Sequence, residues 1–191
     1  MDIVSKANPA DEVIPGLWLG SRFAALNPDY LKEKRVRAVF NCTKDIIFDR
    51  SIPRQYRVPV DDNLQDAEIR NLELWSYEIV YKIAHEMRRA QAEGTSVLVH
   101  CAAGMQRSAA SVAMYLIATK GMTTDQAMEF IRSKRSIAFR PSANFEKAMR
   151  GFEASFNRDV RPQVQGSGPV RPGPMRPGPM PPQVQGSSTP K

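Results

Sequence analysis

The chain has 191 residues, a net charge of +7, 42% apolar residues and 25% charged residues. That length suits one domain with a packed core plus a tail. The two cysteines, Cys42 and Cys101, argue against a disulfide framework, and no apolar run approaches the ~18 residues of a membrane span, so no membrane insertion is expected.

Met1 to Lys6 holds no long apolar run, so no secretory signal is expected. Asn27-Pro28 reads as an N-cap and first-turn pair opening a short helix through Glu33. Strand signals follow at 36–42, 56–60 and 96–100. Between the last two, Ile69, Leu72, Trp75, Ile79, Ile83, Met87 and Ala90 recur every three or four residues, which predicts a helix over 66–93 ended by Gly94. A third helix should start near Ala109 and stop at Gly121. Thr123 and Gln126 form a capping-box pattern for a helix to about Lys134. The last helix should bury Phe145, Met149, Phe152 and Phe156 on one stripe. Strands alternating with helices, then helices alone, predict an α/β fold with a mainly parallel central sheet flanked by helices.

From Arg158 the composition changes. Arg171-Pro172-Gly173-Pro174-Met175 recurs as Arg176-Pro177-Gly178-Pro179-Met180, and such a segment buries too little apolar surface to fold alone. The expected division is therefore a folded domain over 1–157 and a disordered, Pro/Gly/Arg/Met-rich tail over 158–191. The tail carries +4 of the net charge and the domain +3. Arg171-x-x-Pro174-x-x-Pro177 fits one orientation of an SH3-type ligand, a spacing that arises readily in a chain this rich in Pro and Arg.

Residues 100–108, His-Cys-Ala-Ala-Gly-Met-Gln-Arg-Ser, stand between the strand at 96–100 and the helix from 109. A tight loop running into a helix N-terminus gathers backbone N–H groups and partial positive charge around one point, which suits a phosphate-like dianion. Cys101 at the loop's start should ionise more easily than a free thiol. Arg107 offers a planar fork for two phosphate oxygens. Ser108 suits a hydrogen bond to the sulfur, or the ordinary task of satisfying backbone at a helix start. Cys42, in a predicted core strand, reads as a buried structural thiol rather than a redox partner of Cys101.

The loop resembles the active-site loop of cysteine-dependent protein phosphatases, specifically their dual-specificity branch. Further matches keep the family's order. Glu12 to Ser21 resembles the opening hairpin, Val36 to Thr43 the first core strand, Tyr56 to Asn63 the strand and loop bearing the general acid, and Ala138 to Pro141 the C-terminal closure. The resemblance implies a protein tyrosine phosphatase-like fold. It implies hydrolysis of phosphotyrosine and phosphoserine or phosphothreonine on protein substrates through a cysteinyl-phosphate, with no cofactor and no metal. Cys101 would be the nucleophile. Ala102, Ala103, Gly104, Met105, Gln106 and Arg107 would cradle the phosphate, Ser108 would assist the sulfur's departure, and His100 would support the loop. The general acid falls at Asp62, with Asp61 and Asp66 as competitors.

Two departures accompany the match. Asp62 and Cys101 are 39 residues apart, longer than is usual, and the excess should lengthen the 66–93 helix by about two turns. Ser142 follows Pro141 where relatives often carry Asn, and Asn144 falls two residues later. The loop lacks the Lys of lipid phosphatases and the Thr-His pair of RNA 5′-triphosphatases, and its small neutral residues suit a shallow pocket for one phosphate. Arg132, Lys134, Arg135 and Arg140 could form a basic rim. No aromatic–basic interleaving points to nucleic acid. The alternatives are an RNA 5′-phosphatase or other non-protein phosphatase, and a phospho-binding scaffold recruited by the tail. A catalytic thiol needs a reducing compartment, so an intracellular setting, cytoplasmic or nuclear, is expected.

Overall fold

A computed structural model describes residues 2–160. The elements, in order, are α1 (Asp2–Ala7), β1 (Ala10–Ile14), β2 (Leu17–Gly20), α2 (Arg22–Ala25), α3 (Pro28–Glu33), β3 (Val36–Asn41), β4 (Arg54–Arg57), α4 (Asp66–Glu93), β5 (Ser96–His100), α5 (Arg107–Lys120), α6 (Thr124–Lys134) and α7 (Glu146–Asp159). The five strands lie in the order β1-β2-β5-β3-β4. β1 and β2 pair antiparallel, while β2–β5, β5–β3 and β3–β4 pair parallel. The chain thus forms the expected α/β architecture with a mainly parallel sheet.

β5 is the middle strand, and every one of its residues is buried. A strand covered on both faces reads as a continuous apolar run, as Val97-Leu98-Val99 does. Val97 and Val99 join the larger core with α4, α5 and α7, while Leu98 faces a smaller cluster with Ala24, Ala25 and Leu31. α5 is buried from Ser108 through Ile117 and threads the larger core, consistent with its apolar composition all round. Its N-terminus lies directly beyond the C-terminal end of β5, the edge where ligands gather in parallel sheets.

Local chemistry explains the element ends. The Asn27 side chain accepts from Asp29 N and Tyr30 N at 3.1 Å, with Pro28 in the first turn. Thr123 N donates to Gln126 Oε1 at 2.9 Å, and Gln126 N donates back to Thr123 Oγ1 at 3.2 Å, completing the capping box. Gly94 and Gly121 end α4 and α5 in the left-handed region, at φ 61° and 68°.

Several boundaries differ from expectation; β3 stops at Asn41 and α5 starts at Arg107. β4 covers Arg54–Arg57 instead of 56–60. Val58 N still donates to Asn41 O, but Pro59 has no N–H, and Val60 N turns back onto Val58 O at 2.9 Å. Val58 and Val60 nonetheless stay buried, so they anchor the loop that runs on through Asp61 and Asp62. Phe145 caps α7 instead of lying within it, and Phe156 is only partly buried, its ring tilted against Phe152 at 5.5 Å. α7 also runs to Asp159, past residue 157. The tail from 161 to 191 lies outside the described residues. The long Asp62–Cys101 separation is taken up mainly by the 28 residues of α4, which leaves the segment before it short.

Candidate active site

β5 ends at His100, α5 begins at Arg107, and residues 101–106 form the loop between them. The loop's carbonyls are each claimed from outside. Ala102 O accepts from Arg22 N at 3.1 Å, and Met105 O accepts from Phe139 N at 2.8 Å. Gln106 O accepts from Ala110 N at 2.8 Å. Ala103 O and Gly104 O accept from the Arg135 guanidinium at 3.1 and 2.8 Å. In a planar trans peptide each carbonyl points opposite to the next residue's N–H. With the carbonyls of 102–106 turned outward, the N–H groups of 103–107 turn inward. Gly104 is required for this path. Its φ is +69°, and a Cβ there would lie 2.4 Å from Gly20 O, a backbone atom that cannot yield.

Cys101 is 2% exposed at the mouth of this nest. Burial alone would push its thiol pKa up. The Arg107 charge, the Ser108 hydroxyl and the N–H groups of Ser108 and Gly104 outweigh that and hold it below its ordinary value of 9.0. The Ser108 hydroxyl donates to Sγ at 3.2 Å. A lowered pKa means more thiolate at any pH below 9.0, so alkylation of Cys101 by iodoacetamide should reach half its maximal rate below that pH. Ser108→Ala should move the midpoint upward. A wild-type midpoint at or above 9.0 would contradict this electrostatic account.

Cys42 contrasts with Cys101. It is fully buried, its Sγ lies 3.6 Å from Ser111 Oγ, and burial pushes its thiol up to about 12. It is a protonated core side chain. His100 is also fully buried, and burial lowers its pKa to about 4. Its Nδ1 lies 3.3 Å from Cys101 O, an atom that can only accept, so the proton sits on Nδ1 and the ring is neutral. That geometry fits a brace at the strand–loop junction.

Arg107 donates through Nη1 to Val60 O at 3.1 Å, tying the Cys101 loop to the segment that carries the candidate acid. The three aspartates of that segment are placed differently. Asp61 is bound to Lys44 at 2.8 Å, and its own N–H donates to Glu68 Oε2 at 2.9 Å. Glu68 is held below the usual carboxylate range by the Lys44 hydrogen bond and then by that N–H. Asp66 lies in the exposed first turn of α4, 3.9 Å from Lys147. Asp62 is exposed, and its Oδ1 accepts from Asn144 Nδ2 at 2.8 Å.

One expectation needs correcting and another gains detail. The Gln106 N–H turns inward with the others of the loop, while its side chain is buried and turned away, donating to Arg140 O at 3.0 Å and Ser142 O at 2.8 Å and accepting from Asn144 N at 3.0 Å. The expected basic rim also shrinks. Arg135 is 1% exposed, and besides the loop carbonyls it binds Asp11 at 2.6 Å and Asn8 O. Arg132 lies half-buried over the Phe139 ring, which leaves Lys134 and Arg140 exposed. Arg135→Ala would leave the Gly104 and Ala103 carbonyls without their donor, the first of them buried, and break the Asp11 pair. The expected cost is about 3–5 kcal/mol in a denaturant titration, with loss of the loop's geometry. A loss under about 1 kcal/mol would show the loop holds itself. Arg135 and Gln106 are the residues that sequence reasoning missed as site supports; Asn144 was marked only by its offset of two residues from the place where relatives carry Asn.

The family model described as "Dual specificity phosphatase, catalytic domain" matches residues 17–155. Dual specificity protein phosphatase 1 of Arabidopsis thaliana is 35% identical over 140 residues, covering 73% of this chain and 67% of that protein. Human protein phosphatase Slingshot homolog 3 is 30% identical over 157 residues, covering 79% of this chain. The match spans only 22% of that relative's length. The crystal structure of human DUSP28 aligns with a TM-score of 0.63 at 26% identity, covering 78% of this chain and 96% of that one.

Proposed function

The chain belongs to the dual-specificity phosphatase family, and on that premise we propose that it hydrolyses phosphotyrosine and phosphoserine or phosphothreonine on proteins. The observation that carries the reading is the inward-turned loop around Cys101, whose thiol is held below its ordinary range. The Cys101 thiolate attacks phosphorus in line, an S–P bond forms, and the P–O bond to the substrate breaks. Asp62 gives its proton to the departing oxygen. The loop N–H groups and the Arg107 fork hold the three equatorial oxygens as charge shifts. Water then attacks phosphorus, Asp62 takes its proton, and the S–P bond breaks as Ser108 donates to the leaving sulfur.

Ala102 and Ala103 leave the loop without a tall wall, which favours a shallow pocket open to aryl and alkyl phosphates alike. The reduced basic rim disfavours a polynucleotide substrate, since phosphate-backbone binding draws on several cations. A thiolate nucleophile favours a reducing, intracellular setting. The Pro-rich tail is assigned recruitment, with an SH3-type partner as one candidate.

The test is a hydrolysis panel, run with chelator, on phosphotyrosine and phosphoserine/phosphothreonine peptides, 5′-phosphorylated RNA and phosphoinositides. Turnover of the peptides above the others is expected. Turnover confined to RNA or lipid would replace the protein reading. Tight phosphopeptide binding without turnover would mark a binding module.

A further inference from the structure

We propose that Asn144 is the positioning residue for the Asp62 carboxyl, set in place by the Gln106 side chain of the phosphate loop. This rests on the assignment of Asp62 as general acid and deepens it. An exposed aspartate on a short loop samples several rotamers, and only some of them aim a proton at the substrate. Here one side-chain donor holds it. A carboxylate can only accept, so the Asn144 amide nitrogen is the atom facing Asp62 Oδ1 at 2.8 Å. With Oδ1 occupied by a donor, the transferable proton belongs on the other oxygen. The bond therefore fixes both the rotamer and the acidic oxygen.

Asn144 is itself held from the loop. Its N–H donates to Gln106 Oε1 at 3.0 Å, and Gln106 Nε2 pins Arg140 O and Ser142 O at 3.0 and 2.8 Å. Gln106 is only 5% exposed, so its side of this clamp is sheltered from water. The next residue, Arg107, holds Val60 O at 3.1 Å. The last residue of the loop and the first of α5 thus grip the acid segment at two points, one by way of Asn144 through its carboxyl and one through its backbone. The loop and the acid are registered to each other at this junction.

The experiment compares aryl phosphates of graded leaving-group pKa in the full-length wild type, Asn144→Ala, Asp62→Asn and the double variant. With Asn144→Ala, kcat/KM for phenyl phosphate, which reports only the steps through P–O cleavage, should fall about 10- to 100-fold. An activated dinitrophenyl ester, which leaves without a proton, should be nearly unaffected. In the Asp62→Asn background, Asn144→Ala should add little further loss, because the group it positions is gone. Gln106→Ala should show the same leaving-group dependence. An Asn144→Ala loss equal across all leaving groups would reveal a general structural role and overturn the proposal. So would an unchanged phenyl phosphate rate while Asp62→Asn keeps its selective loss; there the acid assignment survives and the positioning role fails. If Asp62→Asn shows no leaving-group dependence, the acid assignment and the positioning role fall together.

Discussion

Cys101→Ser is expected to lower turnover of any phosphate ester by at least ~10⁴-fold while leaving phosphate binding and folding stability close to wild type. The hydroxyl keeps the side chain's size, so the buried site does not collapse. It does not ionise under the field that lowers the thiol. Burial alone would raise the pKa of Cys101, and the Arg107 charge, the Ser108 hydroxyl and the N–H groups of Ser108 and Gly104 reverse that. Those groups stabilise an anion on sulfur. With oxygen there, they can still hold a bound dianion but have no nucleophile to generate. Steady-state kinetics on an aryl phosphate together with tungstate or phosphate titration separates the two effects. Substantial residual turnover would move the nucleophile away from Cys101.

Asp62→Asn is expected to cost ~10²–10⁴-fold with poor leaving groups and far less with good ones. It should also flatten the basic limb of the pH–rate profile. A general acid must carry a proton to act, and a basic limb is what its loss would produce. An amide has no proton to lose and no fall to show. Asp61→Asn is the control. Asp61 is engaged by Lys44 in an exposed pair, and its N–H rather than its carboxylate reaches Glu68, so the substitution should leave the leaving-group dependence intact. If Asp61→Asn or Asp66→Asn produces the selective loss and Asp62→Asn does not, the acid lies elsewhere in the segment.

Much of this arrangement was legible in the sequence because it is local. The strand 96–100, the loop and α5 are contiguous, so one stretch of residues specifies the whole cradle. Asn27 and the Thr123–Gln126 pair announce helix starts through bonds that span two or three residues. The β4 boundary was misjudged because apolar Val58 and Val60 continue the strand pattern while Pro59 breaks the ladder between them.

The supports of the site were not legible, and the reason is again physical. Arg135 reaches Gly104 across 31 positions, Gln106 reaches Asn144 across 38, and Asn144 reaches Asp62 across 82. No periodicity or spacing encodes such pairings. Arg135 read as part of a basic face because charge in a sequence says nothing about burial, and only the fold reveals that its fork is spent on carbonyls. Gln106 read as a neutral loop residue because its backbone runs with the loop, while its side chain serves the opposite side.

The central claim is a covalent phosphoenzyme on Cys101. It is tested most directly by rapid acid quench of the full-length protein during turnover of a phosphorylated substrate, followed by peptide mass spectrometry. The expected result is a phosphate adduct on the peptide bearing Cys101. It should be absent in Cys101→Ser and should accumulate when hydrolysis of the intermediate is slowed by Ser108→Ala. Full turnover with no adduct at Cys101 under any quench time, or an adduct on another residue, would contradict the account.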